Sequence, residues 1–96
     1  MIKIKLPVQY SLLSAKDKRL IREEYTKTQG GKCMYCGGLL SEDPPKWVTD
    51  KGIDWSLFPE GFLEHPVHLQ HNHTTGLTEG VAHAYCNAVM WQYDGR

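Results

Sequence analysis

Two ligand-spaced pairs, Cys33-Met34-Tyr35-Cys36 and His83-Ala84-Tyr85-Cys86, constrain this chain more than any other feature. Each spacing brings two zinc-type donors to one point, and two such pairs complete a tetrahedron. The set uses every cysteine in the chain. Residues 37–82 separate the pairs, a gap of 46 residues that is longer than in a simple zinc finger. The intervening chain must therefore double back, and a β-hairpin does so most simply. An odd cysteine count argues against a disulfide framework. A redox dithiol would need a βαβ setting and would leave Cys86 unexplained. Three ordinary buried thiols are the plain alternative. A closed structural zinc on Cys33, Cys36, His83 and Cys86 is the expectation, because it supplies folding energy that a short chain's core lacks.

The coarse order read along the chain is helix, knuckle, loop, β-hairpin, helix, in one domain over residues 1–96. Residues 14–29 read as a helix. Ser14 caps it, with Asp17 as the reciprocal acid. Leu20, Ile21 and Tyr25 form the expected buried stripe, and Gly30-Gly31 supplies the stop. Residues 41–61 are rich in turn signals, with Trp47-Val48 and Ile53-Asp54-Trp55 as short-strand candidates. Trp47, Trp55 and Phe58 are expected to pack in a small core. Residues 67–72 alternate as a strand does, with Val67 and Leu69 on one face and His68 and Gln70 on the other. Thr74-Thr75-Gly76 turns the chain, Leu77 to Ala82 returns, and His83 to Tyr93 is helical. Ala84, Ala88, Val89, Met90 and Trp91 are available for packing on that last helix. The fold class expected is small α+β.

Net charge is zero, but its distribution is uneven. Lys3, Lys5, Lys16, Lys18, Arg19, Arg22, Lys27 and Lys32 face only Asp17, Glu23 and Glu24 in residues 1–36, a balance of +5. A basic N-terminal third can lie along phosphates; a solvated helix face is the plain alternative. No apolar run approaches the ~20 residues of a membrane-spanning helix, and no signal-type apolar region follows Met1. A cytoplasmic protein with reduced thiols and no membrane partner is expected.

His68, Gln70, His71, Asn72, His73 and Asn87 form a second cluster. Neighbours on a strand point to opposite faces, so Gln70 and His71 reach one centre only if a bulge distorts the strand end. Asn87 follows Cys86 on the opening turn of the last helix. His65, before Pro66, reads as a surface or turn residue, and His68 as an ordinary hairpin residue.

Cys33-x-x-Cys36, His71-Asn72-His73-x-Thr75-Gly76 and His83-x-x-Cys86-Asn87 together resemble the ββα-metal, or HNH, endonucleases, and within them the phage recombination endonuclease VII branch. The resemblance covers about residues 14–93 and is tightest over 64–93. It implies a zinc-stapled ββα core with an N-terminal helix, and hydrolysis of phosphodiesters in DNA with one divalent cation, Mg2+ or Mn2+. It implies that His71 is the general base and that His73 helps position metal or phosphate. Gln70 falls where the family's first metal ligand stands, usually Asp or His, and Asn87 matches the helix ligand. His83 replaces a more usual cysteine in the zinc set. A homodimer and a phage-infected bacterial cytoplasm are also implied.

Gln70 departs from the family pattern, because Mg2+ prefers hard, charged oxygens. Gln70 ligates weakly, or His68 substitutes for it, or the site is impaired. The alternative function is then a catalytically impaired zinc-containing module that still binds DNA. A protein-interaction zinc domain using Trp47, Trp55 and Phe58 is a third reading. Lys16, Lys18, Arg19 and Arg22 on the first helix are the expected contacts to the DNA backbone.

Overall fold

A computed structural model describes residues 5–94 of the chain. A short 3-10 turn, Tyr10–Leu12, leads into helix α1 (Ala15–Thr28). The knuckle loop follows, then a single helical turn α2 (Lys46–Thr49) and a second 3-10 turn, Trp55–Leu57. Strands β1 (Val67–His71) and β2 (Thr78–His83) form an antiparallel hairpin, and α3 (Ala84–Asp94) continues directly from β2. No helix among the described residues is long and apolar enough to cross a membrane.

Helix α1 starts where its capping chemistry dictates. Ser14 Oγ accepts the Asp17 N–H at 3.1 Å and Asp17 Oδ2 accepts the Ser14 N–H at 3.4 Å, so two otherwise orphaned donors are satisfied. Gly30 and Gly31 adopt left-handed φ of 65° and 75° and end the helix. Ile21 and Tyr25, four residues apart, form its buried stripe. Leu20 was expected to join them but is 39% exposed, because one position along a helix rotates a side chain about 100° off that stripe.

The core joins α1, the hairpin and α3 through Ile21, Tyr25, Val81, Ala82, Val89 and Met90, with Cys33, Leu40, Val48 and Cys86 closing its other side. Tyr25 pins α1 to the start of β2: its hydroxyl donates to the Thr78 carbonyl at 3.1 Å and meets Thr78 Oγ1 at 2.9 Å. The N-terminal segment lies along the same stretch. Val8 exchanges hydrogen bonds with Thr78, and the Tyr10 N–H donates to the Gly76 carbonyl at 2.9 Å.

Farther along β2, the exposed edge is covered by a side chain. Gln29 Oε1 accepts the Val81 N–H at 2.9 Å, and Gln29 Nε2 donates to the Val81 carbonyl at 3.0 Å. The Met34 N–H adds a bond to that carbonyl at 3.0 Å.

The 41–61 region differs from expectation. Trp47-Val48 lies in α2 rather than in a strand, because the Pro45 carbonyl accepts the Val48 and Thr49 N–H groups and closes one helical turn. Ile53-Asp54-Trp55 is not a strand either. Asp54 caps the 3-10 turn by accepting the Ser56 N–H at 3.1 Å. Neither segment has a partner strand to satisfy its backbone, so local turns do so. Only Val48 is buried there. Trp47 and Trp55 are 54% and 41% exposed, not core residues. Trp47 lies on Tyr35, while half-buried Phe58 packs among Trp55, Phe62 and Trp91. Trp91 is also exposed, whereas Ala84, Ala88, Val89 and Met90 of α3 are buried as expected, together with Cys86.

Candidate functional site

Cys33, Cys36, His83 and Cys86 converge, with their four ligand atoms all within 4.8 Å of one another. His83 Nδ1 lies 3.5 Å from Cys36 Sγ and 3.6 Å from Cys86 Sγ. A tetrahedron with ordinary Zn–S and Zn–N bonds has an S···N edge of about 3.6 Å, so the cage fits zinc.

The surroundings of these atoms fit as well. His83 Nε2–H donates to the Leu39 and Glu42 carbonyls at 2.9 and 2.8 Å, which leaves the Nδ1 lone pair facing the sulfurs. The backbone N–H groups of Tyr35 and His83 point at Cys33 Sγ, and that of Gly38 at Cys36 Sγ. The Cys86 thiol and the backbone amides of Cys36, His83 and Tyr35 lower the Cys33 thiol to about 4 against the opposing effect of burial, a thiolate suited to metal. Cys86, sharing the proton and buried beside that thiolate, is pushed up.

A second cleft, of about 310 Å3, is lined by β1 together with residues of α1 and α3. His68, Gln70, His71, His73 and Asn87 all line it. The strand distortion anticipated from the sequence is present. The register slips between Gln70 and His71, where Gln70 pairs with Gly80 but His71 pairs with Thr78. That bulge lets neighbours on one strand address the same space. Asn72 shapes the turn rather than the cleft, its Oδ1 accepting the Thr74 and Thr75 N–H groups.

His71 is held by rings. Tyr10 stacks on it at 3.9 Å with an interplanar angle of 11°, and His73 lies 4.5 Å away. Burial is the main cause holding its imidazolium below the ordinary 6.5; His73 and Lys18 add to this, and Glu79 opposes it. His71 is therefore a neutral imidazole at pH 7, able to accept a proton. The Trp91 indole N–H donates to His73 Nε2 at 3.1 Å, making that nitrogen the acceptor and leaving Nδ1 to face other partners.

Gln70 is 3% exposed and donates from Nε2 to the His71 carbonyl at 3.3 Å. Asn87 is 8% exposed, and its Nδ2 lies 3.1 Å from His68 Nδ1. Asn87 Oδ1 is the only buried side-chain polar atom among the described residues without a hydrogen-bond partner. A buried acceptor left bare costs about 1–3 kcal/mol, which a cation at that oxygen would offset. That oxygen favours a divalent ion; Lys18 and Arg22 in the lining, and no Asp or Glu there among the described residues, oppose one unless a substrate phosphate brings negative charge.

Of the four expected backbone contacts, Lys18 and Arg22 line the cleft. Lys16 and Arg19 are exposed on α1 away from that lining, with Arg19 4.0 Å from Glu23. His65 sits exposed at the mouth. Three lining residues, Tyr10, Phe62 and Trp91, escaped the sequence reading of the site. Tyr10 carried no signal, since its position depends on pairing with Gly76. Trp91 carried one: it stands four residues after Asn87, hence on the same helix face.

No family model, curated protein or solved structure matches the chain.

Proposed function

We propose that this protein is a metal-dependent DNA endonuclease that hydrolyses phosphodiester bonds through a His71-activated water. The observation that carries this reading is the convergence, across the bulge, of a neutral imidazole and an unpartnered amide oxygen in one cleft flanked by Lys18 and Arg22.

Lys18 and Arg22 attract and seat the phosphate. His71 takes a proton from water, whose oxygen forms the new bond to phosphorus as the bond to the 3′ oxygen breaks. Tyr10 holds the His71 ring in place, and His73, anchored by Trp91, orients the phosphate. Asn87 Oδ1 and Gln70 are the residues that would hold Mg2+ or Mn2+. When bound, the cation supplies Lewis acidity that polarises the phosphate and stabilises the leaving oxygen. With neutral protein ligands, the substrate phosphate provides the balancing negative charge.

A second reading, the catalytically impaired zinc-containing DNA-binding module, is favoured by the absence of a carboxylate from the described cleft lining. A supercoiled-plasmid nicking assay in Mg2+ and then Mn2+ separates the two. Nicking that His71→Ala abolishes establishes the nuclease. Zinc-loaded protein that binds DNA yet nicks in neither metal establishes the module.

A further inference from the structure

Two kinds of group meet in the cleft, and a paired duplex can use only one of them. Lys18 and Arg22 enter it from α1, four residues apart and so on one face of that helix. Both are half-buried, and neither forms an ion pair among the described residues. The Lys18 ammonium stands 4.4 Å from the centre of the Tyr10 ring, which fixes where its charge lies. No Asp or Glu opposes the two cations in the lining among the described residues. The lining therefore favours an anion, and does so without a metal.

The second kind of group is aromatic. Tyr10, Phe62 and Trp91 join the histidines in the lining. Tyr10 is already covered, by His71 stacked at 3.9 Å and by Lys18. Phe62 packs against Phe58 at 4.8 Å and His68 at 4.6 Å. Trp91 differs. It is 46% exposed, and the rings it meets, His73 and Phe58, are turned 81° and 73° from its plane. No ring among the described residues lies flat on the indole. Its N–H donates to His73 Nε2 at 3.1 Å, so the plane is held without being covered. A fixed, uncovered indole in one lining with two cations can grip a nucleotide at both ends, because every base has a π-face and every phosphate a charge.

A duplex cannot use the indole. Its base faces are stacked on their neighbours, and only edges and backbone stay within reach. An unpaired nucleotide, in a single strand or turned out of a helix, exposes that face. The cleft's volume of about 310 Å3 is at the low end for small-ligand pockets, suited to a single nucleotide.

We propose that this cleft binds an unpaired nucleotide of a DNA strand, with its base stacked on Trp91 and its phosphate seated on Lys18 and Arg22. The proposal names a substrate class for the nuclease reading and rests on that reading only for DNA as the polymer. It requires no cation.

Zinc-loaded protein without added divalent metal is titrated with three probes: a short mixed-sequence deoxyoligonucleotide, its perfect duplex, and the same duplex with one bulged, unpaired nucleotide. Binding is read from the anisotropy of a dye on the DNA and from tryptophan fluorescence. Zinc content and a thermal melt confirm that each variant is folded. The single strand and the bulged duplex should bind about 10-fold or more tightly than the perfect duplex, and should quench tryptophan emission. Trp91→Leu should weaken single-strand binding by about 5- to 150-fold, the loss of one base–aromatic stack, and nearly erase the preference for unpaired DNA. Its salt slope should stay unchanged, whereas Lys18→Gln with Arg22→Gln should lower the slope by about 1.4. Trp91→Phe keeps an aromatic face and should bind within about 5-fold of native, with the quenching lost.

A perfect duplex bound as tightly as the single strand would overturn the proposal. So would a Trp91→Leu loss equal on all three probes, Trp91→Phe binding as weakly as Trp91→Leu, or binding to none of the probes. Polyglutamate competing as well as the single strand would also overturn it, reducing the cleft to a general anion site. The nuclease reading fails separately: preference for unpaired DNA without plasmid nicking in either metal would sink the nuclease and leave this proposal standing, while nicking without the preference would do the reverse.

Discussion

Stripping the metal from the Cys33–Cys36–His83–Cys86 cage should unfold the protein. A domain of 96 residues has a net stability of about 5–14 kcal/mol at ordinary values per residue. Structural zinc in a closed thiolate–imidazole site contributes about 10–16 kcal/mol at neutral pH. The second figure matches or exceeds the first, so the metal-free chain should not remain folded. The ligand positions deepen the effect. Cys33 and Cys36 hold the loop after α1, while His83 and Cys86 span the junction of β2 and α3. Losing the metal thus unties three elements at once. The assay is circular dichroism and tryptophan fluorescence during thermal melts, with and without a strong chelator, followed by re-addition of zinc. The expected result is loss of the cooperative transition on chelation and its return with zinc. One kcal/mol moves the midpoint of a domain this size by about 4–8 °C. Protein shown by metal analysis to be zinc-free, yet melting cooperatively within about 5 °C of the loaded form, would refute the reasoning.

Three further outcomes are expected. Gln29→Ala leaves the fully buried Val81 N–H without its acceptor, and should lower stability by about 1–3 kcal/mol in urea unfolding with an unchanged slope; a change under about 0.5 kcal/mol would contradict the role assigned to the amide. Neutralising Lys18 and Arg22 together should weaken DNA binding and reduce the salt slope by about 2, whereas neutralising Lys16 and Arg19 should change both less; equal effects from the two pairs would argue against phosphate seating in the cleft. Because the His71 pKa is lowered, its base form persists as pH falls to below the ordinary 6.5. Nicking by the native protein should therefore rise with pH to a plateau with the midpoint of the rise below 6.5, and an ascending limb centred at pH 7 or higher would argue against His71 as the base.

The features legible in the sequence are those fixed by local spacing. The Ser14–Asp17 capping box and the two ligand pairs each depend on residues three apart, the helix stop depends on the adjacent Gly30 and Gly31, and all stand where the sequence put them. The bulge at Gln70/His71 was legible by a different route, as the condition under which adjacent residues could share a cleft. Short apolar runs were not legible. Trp47-Val48 reads equally as strand or helical turn, and only the lack of a partner strand decides it. Leu20 and Trp91 look like core residues by type, but each stands beside the buried stripe of its helix rather than in it. Tyr10 over His71 and His68 against Asn87 depend on contacts between elements remote in sequence, which no spacing rule reports.

The Gln29 amide on the outer edge of β2 has a consequence for how copies of this chain meet. A two-stranded sheet normally offers two open edges, and an open edge is a template for another strand. At Val81 that template is already read by a side chain whose donor and acceptor imitate a neighbouring backbone. Near Thr78 it is read by the chain's own Val8. The β2 edge is thus closed from within and is not open to a further strand. Gln29 is in this sense a stopper against polymerisation, and its loss would open a place for foreign strands to dock as well as loosen the fold.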